Sequence, residues 1–503
     1  MSRLLRNIAF NVGGQGLVLV LGFIGVKFIY GRLGADAFGI IYFSLLMTGV
    51  LTSALELGVL STTIREVSSH HATDRDYVNR LIRTASLFYW GLGVALFLMV
   101  LVGAPFLVAH WVNLKSVAPQ LAVDMLRILS ISSLITLPRA LYASLFQGLQ
   151  LMGRNNVIDV VSSALQQLGT IALLAVGADA IQVSVWIAAA AVLSTLAYLV
   201  LAGRSFGWRT LVPGYFADVV QRNRRFTAHM GALSVLNIVL IQFDKVAVSK
   251  LLPVASVGLY SFASTVVVRV SFAAGAINQA ALPAFASAHR SGDLGSLRAQ
   301  YGRLQDLVCL GMLPLFAVVA FGAVPLYTYL FSHETALLLL IPTMLLCLGF
   351  YMSATVSIPY TLSVAVGRPE IAYRSNLRAL FIVLPAATLL TYFYGLPGAA
   401  ATWVIYYLFL YVAMIPNIMR ECLRAAATVW YAHLGRILLL AVLCYGLAWA
   451  VAAAPSNYST LQLATGYLVA TAAFAAGGLV LIGPESRAAV WRLPRRLVGA
   501  PGG

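Results

Sequence analysis

Long uninterrupted apolar runs, not alternating ones, set the pattern of this chain. A run of roughly 20 apolar residues is enough to carry a helix across a bilayer, and such runs recur from end to end. Backbone groups find no partner in lipid, so a spanning segment must be a helix or part of a closed barrel. Continuous runs, without a period of two, select helices. The pattern predicts fourteen spans, at about 8–31, 38–64, 82–109, 121–149, 156–177, 181–203, 228–251, 255–283, 304–331, 335–365, 371–392, 396–417, 434–452 and 461–483. Composition agrees: 61% of the 503 residues are hydrophobic and 10% are charged, too few charges to cover a water-soluble surface of this size.

A half-length repeat organises the runs. Lys27, Arg32, Gly39, His70 and Asp74 recur as Lys245, Lys250, Gly258, His289 and Asp293, the first two pairs offset by 218 and the other three by 219. One residue inserted in a short turn explains the change. A looser echo joins Pro138, Gly148, Arg154 and Asn155 to Pro359, Gly367, Arg374 and Asn376. Repeats of six spans each keep the same orientation and are related about the membrane normal. The expected fold is therefore an all-α polytopic membrane protein of about 14 transmembrane helices. It has two six-helix lobes related by a parallel pseudo-twofold repeat, plus two C-terminal helices. The lobes are expected at 1–203 and 228–417, joined by a cytoplasmic link at 204–227. The appended helices occupy 418–483, and 484–503 is a basic cytoplasmic tail.

The net charge of +17 would suggest nucleic acid, but its distribution says otherwise. With the N-terminus placed inside, 25 of the 33 lysines and arginines fall in or beside inner segments, and only Arg32, Lys115 and Lys250 fall in outer loops. That asymmetry follows the positive-inside rule and places both termini in the cytoplasm of a multi-pass inner-membrane protein. No nucleic-acid partner is expected. Ala35-Asp36-Ala37 mimics a signal-peptidase site, but the apolar stretch before it is too long and carries Lys27, so the first span is retained. The scattered Cys309, Cys347, Cys422 and Cys444 show neither metal spacing nor a disulfide framework. No cofactor is expected.

Candidate chemistry rests on charges inside the spans. Each costs about 2.5–3.5 kcal/mol at mid-bilayer on insertion scales and needs a wet cavity or a partner. Span four carries Asp124 and Arg127, an i, i+3 pair near its outer end, and then Arg139 beside Pro138. Arg139 lies about 18 Å beyond Arg127 at 1.5 Å per residue, near the bilayer middle. Arg269 occupies a similar depth in span eight. Lys27, Lys245, Arg139 and Arg269 are candidates for binding an anionic cargo, phosphate in particular for the planar arginine fork, with the two arginines facing each other across a cavity. The two lysines could instead snorkel to the outer interface, and each arginine could be held in an ion pair with Glu56 or Asp244. Glu56 and Asp244 are the buried acids assigned to ion coupling. The glycines of the first span, Gly13, Gly14, Gly16, Gly22 and Gly25, suit close helix approach. The tyrosines of spans ten to twelve suit an interfacial belt or ordinary packing, with sugar stacking as a further use.

Arg32-Leu33-Gly34, Phe38-Gly39, Phe43-Ser44 and Glu56-Leu57-Gly58 resemble the start of the Wzx-type oligosaccharide flippases of the polysaccharide transporter family. Gln242-Phe243-Asp244-Lys245 and Val257-Gly258-Leu259-Tyr260 resemble the start of their second half. The resemblance covers roughly residues 5–420. It implies the multidrug/oligosaccharidyl-lipid/polysaccharide exporter fold, two six-helix lobes around a central cavity. It implies an undecaprenyl-diphosphate-linked oligosaccharide as cargo, flipped by alternating access for export of O-antigen, exopolysaccharide or capsule. It also implies a polysaccharide polymerase and a chain-length regulator as partners. Two appended spans are similar in number to those of the lipid II flippase branch, where they form a groove for the lipid tail. A cation-coupled multidrug antiporter of the same fold would have acids facing a largely apolar cavity, whereas the mid-span charges here lean cationic. A membrane enzyme of polysaccharide polymerisation or ligation would carry its chemistry on a large outer loop. The longest here, about 110–120, offers only His110 and Lys115.

Overall fold

The computed structural model describes residues 3–55, 58–453 and 459–482. Glu56 and the expected tail from 484 lie outside the described residues. The described chain is helical throughout, with one isolated parallel bridge between Asn113 and Pro253. Contacts divide it into two compact units, 1–259 and 260–503.

The first unit contains α1 (Arg3–Leu55), α2 (Val59–His70), α3 (Arg75–His110), α4 (Pro119–Gly148), α5 (Met152–Ala175), α6 (Ala180–Phe206), the single turn α7 (Trp208–Leu211) and α8 (Ala217–Leu251). It ends in the first turns of α9 (Val254–Arg290). The second unit holds the rest of α9, then α10 (Leu294–Leu330), α11 (His333–Ala365), α12 (Pro369–Tyr394), α13 (Leu396–Ala413), α14 (Ile415–Leu423), α15 (Ala427–Ala441), α16 (Leu447–Ala453) and α17 (Thr460–Leu481). A π-helical turn, Val442–Gly446, joins α15 to α16.

Among the described residues, twelve helices are long and apolar enough to cross a bilayer. The difference from the expected fourteen lies at two places. The first expected span and the start of the second are the two helices of α1, which meet at a kink at Gly34 (φ 84°, ψ 171°). The left-handed φ favours glycine there. The other place is α8, which is not among the twelve. Its charges gather at the two ends, and the stretch 226–243 between them carries no Asp, Glu, Lys or Arg and is long enough to cross a bilayer as the expected seventh span.

The repeated residues serve as structural punctuation. Asp74 accepts a hydrogen bond from Tyr77 N (2.9 Å) and caps α3. Its repeat mate Asp293 accepts from Gly295 N and Ser296 N (2.9 and 3.1 Å) and caps α10. An N-cap carboxylate satisfies amides that the first turn leaves open. Gly39 and Gly258 mark a close crossing of α1 with the first turns of α9. A Cβ on Gly39 would lie 2.1 Å from Val254 O, and one on Gly258 would lie 2.5 Å from the Phe38 ring and 3.1 Å from Gly39 Cα. The glycines of the first span behave differently. A Cβ on Gly16 or Gly22 meets nothing within 4 Å, and one on Gly25 meets only the Gln167 side chain.

Helix α4 continues through Pro138, whose missing N–H leaves Leu134 O without its i+4 donor. Gly93 of α3 packs on that oxygen, 2.2 Å from where its Cβ would sit. The expected Asp124–Arg127 pair is present at 4.0 Å.

Loop 110–118 ties two distant turns of the first unit. Asp36, beside the Gly34 break, accepts from Lys115 N, Ser116 N and Val117 N (2.8, 2.6 and 3.3 Å). On the other side, Trp111 Nε1 donates to Ser249 Oγ (3.0 Å) and Asn113 Nδ2 to Lys250 O (3.2 Å). Val254 N donates to Asn113 O (2.9 Å).

Candidate functional site

Arg139 sits one residue past Pro138 on α4, and α5 and α6 hold its guanidinium. Nη2 donates to Asp159 Oδ1 of α5 at 2.6 Å, and Nε donates to Ser194 Oγ of α6 at 2.9 Å. Tyr198, one turn beyond Ser194 and fully buried, donates its hydroxyl to the same Asp159 oxygen at 2.9 Å. The guanidinium carbon lies 5.4 Å from the Tyr198 ring centroid. The side chains of Arg139 and Asp159 keep 36% and 42% of their exposure, so the pair is accessible, not sealed in the core.

The group opens on a cavity of about 280 Å³ between α1, α4, α5 and α6. Its wall carries the hydroxyls of Ser44, Thr48, Thr136, Ser162 and Ser194, with Gln166. A small space lined by hydroxyls and one guanidinium is suited to an acceptor-rich group such as a phosphate or a sugar.

The other predicted residues are placed as follows. Arg269 is exposed on α9 and forms no ion pair among those described. Lys27 is half-buried on α1. Asp244 is buried on α8, 3.7 Å from Lys245 Nζ, and this side chain pair is 3% and 14% exposed. Glu56 falls outside the described residues. Within the first unit, then, Arg139 is brought into a polar cavity, and Asp244 and Lys245 are brought together as neighbours.

Three acids escaped the sequence reading. Asp159, the acid that meets Arg139, comes from the next helix, not from Glu56 or Asp244. Its signal was available, as a lone acid inside an apolar run. Glu66 is 5% exposed at the end of α2. It accepts from Tyr77 OH at 2.9 Å and pairs with Arg65, while Asn223 Nδ2 donates to Tyr77 OH at 2.9 Å. This network fastens the start of α8 to α2 and α3. Asp306, 7% exposed on α10, lies 2.8 Å from His433 Nε2 on α15.

The second unit also holds an apolar groove of about 800 Å³ between α9, α10 and α17, with Arg303 at one end and Leu307, Leu310, Phe474 and Leu479 among its walls. Of the tyrosines, Tyr351 and Tyr411 are buried, Tyr392 and Tyr394 are exposed, and Tyr406 donates to Asn376 Oδ1 at 2.8 Å. The cysteines fill packing positions, three buried and Cys444 half-buried.

The profile of a family described as polysaccharide biosynthesis proteins matches residues 4–289. A Shigella flexneri protein named "Putative O-antigen transporter" is 20% identical over 413 residues, covering 80% of this chain and 94% of that one. Among solved structures, the lipid II flippase MurJ in an inward closed conformation superposes with a TM-score of 0.69 at 11% identity, over 97% of this chain and 99% of that chain. An inward-facing multidrug resistance MATE family transporter of the MOP superfamily superposes with a TM-score of 0.64 at 14% identity, over 83% and 95%. At such identities these likenesses establish the fold. The relatives in sequence and in structure are transporters and flippases, not enzymes.

Proposed function

Because the chain belongs to the polysaccharide biosynthesis protein family, a family of membrane transporters, we propose that it flips an undecaprenyl-diphosphate-linked oligosaccharide across the bacterial inner membrane. The product would feed surface polysaccharide, with a polymerase and a chain-length regulator acting downstream. The two lobes would alternate access to the cargo. The observation that carries this reading is the accessible Arg139 guanidinium at a hydroxyl-lined cavity. Arg139, Arg269, Lys27 and Lys245 are the cations we assign to the diphosphate or anionic sugar. Asp159 restrains Arg139 so that phosphate binding stays weak enough to release. The apolar groove takes the isoprenoid tail. Glu56 and Asp244 couple transport to an ion.

The test is a deletion strain. It should accumulate lipid-linked oligosaccharide and lose surface polysaccharide, and the intact chain should restore both. Gly311→Trp, which adds bulk at an open position on the groove wall, should lower the restored signal. Asp244→Asn should remove its dependence on the ion gradient. A deletion that leaves polysaccharide intact but sensitises cells to cationic drugs would favour the antiporter and overturn the flippase.

The termini and the link 204–227 are assigned to the cytoplasm. A reporter fused after residue 215 should read inside. An outside reading would reverse the orientation and the depths argued for every arginine.

A further inference from the structure

We propose that the second unit binds an anionic phospholipid headgroup in a cavity lined by α10, α14 and α15, and that this lipid mortars α15 onto α10. The cavity, of about 760 Å³, is separate in its walls from the tail groove except at Asp306. Its charged lining is Arg298, Arg436, His433 and Asp306. His433 lies 2.8 Å from Asp306, and the two arginines outnumber that single acid and leave the site cationic. Arg298 is held at the rim by donating to Leu423 O and Arg424 O at 2.8 and 2.7 Å.

The floor carries polar atoms that lack partners. Trp430 is 3% exposed, Gln305 3% and Tyr301 6%. Trp430 Nε1 faces Tyr301 Oη, but the two close no hydrogen bond of ordinary geometry, and Gln305 Oε1 has none either. A buried polar atom without a partner costs stability, so a ligand or water belongs there. The two arginines call for an anion and argue against a metal cation.

The position selects a lipid. The ends of α9, α11 and α14 and the starts of α10, α12 and α15 share one end of the unit, which carries Arg290, Arg298, Arg303, Arg368, Arg424 and Arg436. Basic pockets between membrane helices at such an end hold anionic headgroups. Around the charges, Met419, Leu423, Val429 and Leu481 supply an apolar rim for the start of the acyl chains. A free phosphate ion would leave that rim bare.

The experiment uses the full chain in detergent, titrated with phosphatidylglycerol, phosphatidylcholine and undecaprenyl phosphate, and read by native mass spectrometry and thermal melting. Phosphatidylglycerol should be retained in preference to phosphatidylcholine and should raise the melting temperature. Arg436→Ala should weaken it about fivefold, as expected for one cation near a charged headgroup. Trp430→Phe, which keeps the ring packing, should weaken it as well, and Arg378→Ala, outside this cavity, should not. The lipid-free melting temperature of each variant separates lost binding from lost folding. Equal retention of the two phospholipids, or indifference to both cavity variants, would sink the proposal. Displacement of phosphatidylglycerol by undecaprenyl phosphate would overturn it too, by giving the cavity to the cargo.

Discussion

Arg139→Ala cuts surface polysaccharide in the complemented deletion strain roughly tenfold to hundredfold while the protein still reaches the membrane. The guanidinium is already committed to Asp159 and Ser194 through two of its nitrogens, and a diphosphate would have to compete with that carboxylate. Hydrogen bonds to charged groups are worth about 1.5–3 kcal/mol, so losing them slows flux roughly tenfold to hundredfold. Stability responds differently. Both side chains are more than a third exposed, and an ion pair screened by water contributes about 0–1 kcal/mol. Arg139→Lys keeps the charge and loses the planar fork, so partial transport remains. Asp159→Asn frees the guanidinium from its competitor and should tighten cargo binding while slowing release. Arg269→Ala should match Arg139→Ala. Full polysaccharide from both alanine variants at normal membrane levels rules the arginines out as cargo ligands. Failure of Arg139→Ala to accumulate in the membrane assigns the Asp159 pair to structure instead.

Gly39→Val removes the folded protein from the membrane. Its Cβ would strike Val254 O at 2.1 Å, and what it meets is backbone, with no flexible side chain to move aside. Overpacking costs about 1–3 kcal/mol when neighbours can adjust, and this site sits at the upper end or beyond. Gly258→Val should do the same through the Phe38 ring and Gly39 Cα. Gly22→Val provides the contrast, because its Cβ would meet open space. The measurement is the monodisperse peak of detergent-extracted protein. A normal peak for Gly39→Val would show that α1 and the start of α9 can separate without penalty.

The chain announced its helices because lipid leaves the backbone no alternative, so apolar length alone located most of them. The turn at Gly34 was legible too, because the repeat carries a glycine-containing turn there, and α8 keeps the apolar stretch 226–243 between its charged ends. The repeat was visible as recurring letters, but their work was not: Asp74 and Asp293 are helix caps, and Gly39 and Gly258 are a crossing point. In the site, Arg139 stood out by its cost in lipid. Asp159 went unnoticed because its partner lies twenty residues away across a turn, beyond the three or four residues over which one helix face reveals pairs. The first-span glycines were attributed to close packing, yet Gly16 and Gly22 face open space. Glycine content therefore says where helices can touch, and only the fold says where they do.

Loop 110–118 fastens Asp36 on one side and residues 249–254 on the other, which imposes a timetable on biogenesis. When the ribosome has made residue 117, the loop can engage Asp36, but its second anchor does not yet exist. The 134 residues from 118 to 251 take roughly 7–27 s to arrive at about 5–20 residues per second. Only then is α8 complete, with the last turn that supplies the second anchor. The half-engaged loop, already held over the break in α1, offers that turn a socket, so α8 is received by a bundle already assembled.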